Sequence, residues 1–391
     1  MRKTTVALCA LVFLGVFALI SQAEEWGERA DGGYYRVVDL EGKFLTVTAL
    51  ELGKGDLYID AENQRYVIDH FNGDTAVARH DGKERMPVIR EAKQSLWAGA
   101  IEWAAQIMGR ERVNRKLVGI YHTHGDECYT PTSGTESRTP RGDIYEVGAA
   151  LAQALEKEGY EVQHSWDTFV PHDGQAYLRS RRTASELSKS RPQTMIDVHR
   201  DAVPDPQEYR TQVSGQPTSR VRLVVGRQNH LRDTNLAYAK RIKAIADEKF
   251  PNLIHGIFHA KGNYNQDLGP RMILLEVGTH TTTLAEAKRA AQLMASVIPA
   301  AAGMAPGTAS GEASQTGRAA LTTFWWVLGL AIVGGVAWVF LNKEGASRLL
   351  RSISSVRAGG VLGAGEPDKQ EEQDGTVHGK RRSRLFGRRR W

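Results

Sequence analysis

The chain has 391 residues, 41% of them hydrophobic and 25% charged. Most of it can therefore fold around a core, as two folded units with accessory segments. The formal net charge of +6 resides in residues 342–391, which hold 12 basic against 6 acidic side chains. The rest of the chain is neutral and has no basic motif interleaved with aromatic residues, which argues against nucleic-acid binding.

The first residues are predicted to form a signal peptide. Met1-Arg2-Lys3 precedes an apolar run over residues 6–20, and the small residues up to Ala23 follow it. A positive start, a short apolar run and small residues are typical of a secretory signal. The run is short for a membrane span, which needs about 20 residues. We therefore favour cleavage after Ala23 over retention as a short anchor, with residues 1–23 as the signal.

A second apolar segment, residues 319–341, is predicted to be a transmembrane helix. It is uncharged, long enough to cross a bilayer, and carries tryptophans towards both ends. Basic residues follow it directly, beginning with Lys343. The positive-inside rule then places the basic tail, residues 342–391, in the cytoplasm and the folded part outside the cell membrane. The tail either contacts the anionic inner leaflet or is solvated.

The exported part is predicted to begin with a small β-rich unit at residues 24–85. Short β-prone runs alternate there with turns such as Asn72-Gly73. An amphipathic connecting helix is predicted within residues 86–115. Residues 303–318 are rich in Gly, Ser, Thr and Ala, which predicts a flexible linker to the membrane helix.

Residues 116–302 are predicted to form the catalytic domain. Apolar strand patterns alternate with helical patterns along this stretch. The predicted strands cover residues 117–121, 161–163, 194–198, 221–225 and 272–275. The predicted helices cover residues 144–158, 176–190, 234–249 and 284–297. Such alternation indicates an α/β fold, a sheet with helices on both faces.

Three predicted strands end in histidine and carboxylate residues. His122, His124 and Glu127 follow the first strand, His199 ends the third, and Glu276 ends the last. Sites in open α/β sheets lie beyond the carboxyl ends of the strands, so these groups are expected to meet at one edge. Glu146 and His280 lie nearby, the former in the first turn of the first helix.

These residue types are the components of a hydrolytic zinc site. Such a Zn²⁺ takes three protein ligands from His and Asp or Glu and keeps one position for water. A further carboxylate then moves the proton of that water to the leaving group. The residues themselves do not decide which of the histidines and carboxylates would bind the ion.

Two metal-free alternatives carry less weight. The chain has two cysteines, and Cys9 lies in the predicted signal peptide, so the mature protein has no internal disulfide. Cys128 is close to His122 and His124 and could be a nucleophile, but a cysteine hydrolase would not need the surrounding carboxylates. We favour a packing role for Cys128. No Gly-x-Ser-x-Gly elbow supports a serine hydrolase.

At these same residues the sequence resembles the stage II sporulation protein P family, over about residues 118–302. Several motifs, in order along the chain, carry the resemblance. They are residues 120–129 around His122-Thr123-His124-Gly125, residues 142–148, Asp197-Val198-His199-Arg200-Asp201, residues 264–268, and Leu275-Glu276-Val277-Gly278. The family belongs to endospore-forming bacteria, and its catalytic domain is related to zinc-dependent N-acetylmuramoyl-L-alanine amidases.

The resemblance implies a substrate that the residues alone do not identify. It implies cleavage of the amide between N-acetylmuramic acid and L-alanine of peptidoglycan during engulfment in sporulation, and leaves open an endopeptidase activity on peptide cross-links. It also implies stage II sporulation proteins D and M as partners. The alternative is a non-catalytic protein that keeps the amidase-like fold and binds peptidoglycan or acts as a scaffold.

The resemblance also implies roles for individual residues. It implies His124, Glu146 and His199 as zinc ligands and Glu276 as the catalytic carboxylate. The pair of histidines departs from the single histidine of the amidases, so His122 and Glu127 remain alternative ligands. Residues expected to contact substrate are Arg200, Arg271 and His280.

Overall fold

A computed structural model of the chain describes residues 27–29, 31–88 and 114–304. The predicted signal peptide, membrane helix and basic tail lie outside these residues, as do nearly all of the predicted connecting helix and linker. Within the described ranges, no helix is both long enough and apolar enough to cross a bilayer.

The described residues form thirteen strands and six α-helices. The strands are β1 (Tyr35–Asp39), β2 (Phe44–Thr48), β3 (Leu57–Ile59), β4 (Gln64–Asn72), β5 (Thr75–Lys83), β6 (Asn114–Tyr121), β7 (Glu161–His164), β8 (Pro192–Asp201), β9 (Arg210–Val213), β10 (Gln216–Ser219), β11 (Val221–Gly226), β12 (Ile254–Ala260) and β13 (Met272–Thr279). The helices are α1 (Thr130–Ser133), α2 (Ile144–Lys157), α3 (Ala176–Lys189), α4 (Arg232–Lys249), α5 (Leu284–Met294) and α6 (Ile298–Ala302).

Eleven strands make one continuous sheet in the order β2-β1-β5-β4-β3-β12-β11-β13-β8-β6-β7. Strands β13, β8, β6 and β7 run parallel, so their carboxyl ends share one edge. β11 is antiparallel to β13, and β9 and β10 form a separate hairpin. The mixed α/β fold predicted from the alternating pattern is confirmed.

Helices cover both faces of the parallel part of the sheet. Helices α2, α4, α5 and α6 pack on one face, against side chains such as Val198 and Leu275. Helix α3 packs on the other face through Ala184, which meets Met195 and Met272. Because side chains alternate along a strand, His199 and Glu276 point to the face that carries α3.

The β-rich region is an extension of this sheet rather than a separate unit. Strand β3 pairs with β12, Tyr58 opposite Phe258, and so joins β1–β5 to the strands that follow residue 116. Strand β12 was absent from the sequence prediction. It is buried along its whole length, but His255, Gly256 and His259 interrupt its apolar pattern.

A buried ion pair fastens the extension to the parallel strands. The guanidinium of Arg222 donates to Asp201 Oδ2 at 2.6 Å, and also to Val47 O and to Thr46 Oγ1. Asp201 in turn accepts from the backbone N–H of Ala49 at 2.9 Å. Arg222 and Asp201 are both essentially inaccessible to solvent. The loop after β8 and the β-rich strands are therefore held by the same charges.

We predict that Arg222→Met lowers the free energy of unfolding by about 3–5 kcal/mol, because it leaves the Asp201 carboxylate buried without its cation. Chemical denaturation of the purified protein measures the change. Arg85→Met is the matched control, since Arg85 is exposed, and should change stability by less than about 0.5 kcal/mol. Equal stabilities of the two variants would contradict the role given to Arg222.

The same cluster predicts acid sensitivity through His255. Its Nε2 lies 2.9 Å from Glu208 Oε1, and its Nδ1 lies 3.3 Å from the Tyr58 hydroxyl. Burial, with Arg222 nearby, lowers the pKa of His255 to about 4 from an ordinary value of 6.5. The unfolded chain therefore binds this proton at a higher pH than the folded chain does.

The contribution of His255 to stability is thus complete above about pH 6.5 and is lost as the pH falls towards 4, a change of about 3 kcal/mol. We expect His255→Gln to flatten the dependence of the unfolding free energy on pH across this window. Exposed His70 provides the control variant, His70→Gln. If the wild type and His255→Gln lose stability in parallel on acidification, His255 is not the group responsible.

Candidate metal centre

The turn after β6 brings His124 and Glu127 over the end of β8. The backbone N–H of Thr123 donates to Asp197 Oδ1 at 2.9 Å, and its hydroxyl donates to Asp197 Oδ2 at 2.6 Å. Asp197 and His199 share one face of β8 because they are two residues apart. The turn and the strand are therefore fixed to each other beside His199.

Glu127 is the group around which the cluster is arranged. Its Oε2 accepts from the backbone N–H of Arg200 at 2.9 Å. Its Oε1 lies 3.6 Å from His124 Nδ1 and 3.6 Å from His199 Nδ1. The carboxylate has no solvent exposure, and the two imidazoles are almost as deeply buried. One carboxylate oxygen thus faces two ring nitrogens in a closed space.

Several polar atoms of this cluster have no hydrogen-bond partner, although buried polar atoms nearly always have one. These atoms are His124 Nδ1 and Nε2, Glu127 Oε1, His199 Nε2 and Glu276 Oε2. His199 Nε2 is nevertheless in ion-pair contact with Asp197 Oδ1 at 2.9 Å. Ligands about 2.1 Å from a tetrahedral ion are about 3.4 Å apart, close to the spacings around Glu127 Oε1. The donor set fits a divalent metal.

The charges around Glu127 and His199 also favour the binding of a cation between them. Against its burial, Arg200 and His199 hold the pKa of Glu127 well below its usual range. Against its own burial, Asp197 and Glu127 raise the pKa of His199 well above its ordinary value. A metal ion would meet the same negative potential that holds the proton on His199, and its binding would release that proton.

Glu276 lies beside His199 on the neighbouring strand. The two residues are paired in the parallel register of β13 and β8. Glu276 is buried, its Oε2 lacks a partner, and burial raises the pKa of its carboxyl well above the usual range. It is therefore a carboxyl that holds a proton more strongly than an exposed one would.

Two further residues reach the cluster from distant segments. Glu28 and His172, with His124 and Glu127, offer ligand atoms that all lie within 4.8 Å of one another. The ring of His172 lies against that of His124, tilted by 30° with centroids 3.9 Å apart. Its nitrogens lie 3.0 Å from Asp126 Oδ1 and 3.3 Å from Glu28 Oε2. Although burial opposes it, these carboxylates raise the pKa of His172 to about 10.

The structure does not bring Glu146 to this cluster. The first turn of α2 buries Ile144, Tyr145 and Val147, so the intervening Glu146 points outward. Its half-exposed carboxylate pairs with Lys288 at 3.0 Å. Glu127, which the sequence left as the alternative ligand, does lie in the cluster.

His122 also lies apart from the unpartnered atoms. Its Nδ1 donates to Val198 O at 3.0 Å, and its Nε2 lies 2.8 Å from His164 Nε2. Burial, with His164 beside it, lowers the pKa of His122 to about 3. Both nitrogens are thus occupied, which makes His122 a structural residue next to the cluster.

The three residues expected to contact substrate lie in different places relative to the cluster. Arg200 lies in the cluster, where its Nη1 is 3.4 Å from Glu28 Oε1. His280 follows β13 and is half-buried, and its backbone N–H donates to Asp201 O. Arg271 precedes β13 and donates to Gln193 O. It is five residues from Glu276, about 16 Å along the strand, so Arg271 is not at the site.

Cys128 is fully buried beside the cluster. Its thiol contacts Asp126 O at 3.7 Å and accepts from the backbone N–H of Asp143 at 3.4 Å. Burial raises the pKa of the thiol, which disfavours the reactive thiolate. These contacts fit the packing role favoured from the sequence.

The sequence reasoning missed Glu28, His172 and Asp197. Asp197 had a usable signal, since it lies two residues before His199 and therefore on the same strand face. Glu28 and His172 had none, because each lies in an irregular segment far from the strand ends. Only the fold shows that these segments pass over the turn that contains His124.

We predict that Glu127→Gln weakens zinc binding by about 100-fold or more, because it removes the carboxylate that faces both imidazoles. Glu146→Gln is the matched control and should bind zinc as the wild type does. Competition with a chromogenic chelator measures both affinities. The opposite ranking of the two variants would restore Glu146 as the ligand.

Comparison with known proteins identifies the family of this chain. The model of the family "Stage II sporulation protein P (SpoIIP)" matches residues 59–299. Stage II sporulation protein P of Bacillus subtilis (strain 168) is 30% identical over 204 residues, which are 47% of this chain and 51% of that protein. The chain thus spans about half the length of this curated relative.

Solved amidase structures are similar at low identity. AmiC2 of Nostoc punctiforme, an N-acetylmuramoyl-L-alanine amidase, is 16% identical, with a TM-score of 0.33 over 49% of this chain and 97% of its own. The CwlD amidase from Clostridioides difficile, solved with the GerS lipoprotein, is 15% identical, with a TM-score of 0.32 over 48% and 95%. Since the family model covers more than half of the chain, the chain belongs to the stage II sporulation protein P family.

Proposed function

We propose that this chain is a zinc-dependent peptidoglycan hydrolase of sporulation that cleaves the N-acetylmuramoyl-L-alanine amide. The observation that carries the proposal is the pair of residues with unpartnered buried atoms, His124 and Glu127, with His199 Nδ1 3.6 Å from Glu127 Oε1 and the buried carboxyl of Glu276 beside His199. Membership of the sporulation family supports the cell wall as the substrate.

His124, Glu127 and His199 would hold the ion. Zinc in such a site polarises the scissile carbonyl and makes water nucleophilic near neutral pH. Arg200 orients the Glu127 carboxylate through its backbone N–H, and Asp197 holds the edge of His199 that faces away from Glu127. Supporting groups of this kind keep metal ligands in place.

Glu276 would act as general base and then as general acid. It takes a proton from the attacking water and delivers it to the nitrogen of L-alanine as the amide C–N bond breaks. The products are a lactyl carboxylate on the sugar and a free amine on the peptide. Burial suits Glu276 to this task because the raised pKa of its carboxyl lets it hold the proton between the two steps.

The wider setting of the protein also belongs to the proposal. A cleaved signal and a membrane span over residues 319–341 would hold the hydrolase outside the cell membrane, with the basic tail inside. Stage II sporulation proteins D and M are its proposed partners, and cleavage of peptide cross-links remains a second proposed activity. Family membership is the support for the partners.

A non-catalytic wall-binding protein is the rival function. It is favoured by one observation, the burial of the whole cluster, since the side chains of His124, Glu127 and His199 are at most 2% exposed. A scaffold would bind peptidoglycan and release nothing. The two functions therefore differ in their products.

We expect the zinc-loaded full-length protein to release stem peptides with a free L-alanine amine from purified peptidoglycan, as identified by mass spectrometry. Cleavage at cross-links would give different fragments in the same digest. Glu276→Gln should reduce peptide release by about 10²–10⁴-fold while zinc binding persists. Exposed Glu156 provides the control variant, Glu156→Gln. Undiminished release by Glu276→Gln would refute the mechanism, and binding without release would favour the scaffold.

A further inference from the structure

The cluster is covered by a segment from the start of the described chain. Residues 27–29 belong to this segment, and Gly27 packs beside Tyr177 and His124. The Glu28 carboxylate reaches inward to His172 and Arg200, at 3.3 and 3.4 Å. A carboxylate oxygen of Glu28 is also within 4.8 Å of the ligand atoms of His124 and Glu127.

Backbone hydrogen bonds hold this segment in place. Arg29 donates its N–H to Ala49 O at 2.8 Å, and Glu51 donates to Gly27 O at 2.7 Å. Gly27 has φ of +132°, a conformation that suits glycine, and a side chain there would collide with Tyr177. The segment is thus shaped to lie against the cluster, with Glu28 turned towards the ligand atoms.

A catalytic zinc site and a structural one differ in their fourth position. Structural sites are closed by four protein ligands, whereas catalytic sites keep one position open for water or substrate. Here a further protein carboxylate, that of Glu28, lies within 4.8 Å of the ligand atoms of His124 and Glu127. A cross-linked polymer cannot reach ligands that are at most 2% exposed unless the residues that cover them move.

We propose that Glu28 closes the candidate metal site as a fourth protein ligand, so that the structure is a latent form of the hydrolase. Departure of residues 27–29 would open both the coordination position and the path for a peptidoglycan strand. This inference rests on the proposed function, because it takes His124, Glu127 and His199 as the ligands of a zinc ion.

A purely structural role for Glu28 makes a different prediction. Its ion pairs with His172 and Arg200 could simply neutralise two cations at the rim of the cluster. In that case the loss of Glu28 would alter the unfolding free energy but not the coordination of the ion. The coordination shell is therefore the decisive property to measure.

The test compares the full-length wild type with Glu28→Ala, and Glu41→Ala serves as the matched control because Glu41 is exposed in a turn. Chelator competition gives zinc affinity, and the visible absorption of the Co²⁺-loaded protein reports coordination. We expect Glu28→Ala to bind zinc about 10–100-fold more weakly. Its Co²⁺ spectrum should change with pH near neutral as a newly admitted water ionises, and peptidoglycan hydrolysis should rise.

In the wild type and in Glu41→Ala, the Co²⁺ spectrum should be insensitive to pH in the same range. Glu28→Gln, which keeps the size of the side chain, covers the case in which the alanine variant folds poorly. Zinc affinity and spectra unchanged in both Glu28 variants would overturn the inference while leaving the proposed function intact. Failure of the wild type to bind any metal would instead remove the proposed function itself.

Discussion

The burial of the Glu127 carboxylate is the constraint on which the rest of the site depends. An ionised carboxylate removed from water costs several kcal/mol unless charges and hydrogen bonds compensate it. One oxygen is compensated by the backbone N–H of Arg200. The other lies 3.6 Å from the imidazole nitrogens of His124 and His199 and has no hydrogen bond. A metal ion bound there would supply the partner that this oxygen lacks.

The β-rich strands contribute to the site in two ways. Through Thr46, Val47 and Ala49 they bind the Arg222–Asp201 pair, which fixes the chain immediately after His199 and Arg200. Through the backbone pairing around Ala49 they also hold the segment that contains Glu28. The predicted β-rich unit therefore supports the cluster from one side and covers it from the other.

Strands β6, β7, β8, β11 and β13 and helices α2–α5 were predictable because apolar periodicity marks buried strands and helices, and the carboxyl ends of parallel strands must share an edge. The shared edge predicts that His124, His199 and Glu276 lie together. Glu127 and Glu146 could not be ranked in the same way. Glu127 lies in an irregular turn whose direction depends on the bonds between Thr123 and Asp197. The outward direction of Glu146 depends on which side of α2 meets the core.

The distant residues show the limit of local patterns most clearly. The position of Glu28 is set by pairing with residues 49–51, and no periodicity in its own neighbourhood encodes that pairing. His172 lies between β7 and α3 and is drawn to the cluster by Asp126 and Glu28. Arg271 shows the converse error, since it is close in sequence to a strand that reaches the site but lies at the strand's other end.

The two buried carboxylates of the site differ in their surroundings, and this difference separates their roles. Arg200 and His199 lower the pKa of Glu127 despite its burial, whereas burial dominates at Glu276 and raises the pKa of its carboxyl. An ionised carboxylate is a metal ligand and a poor proton donor, while a carboxyl with a raised pKa can carry a proton through a reaction. The charges beside each group therefore support the proposed assignment of Glu127 to the metal and of Glu276 to the proton.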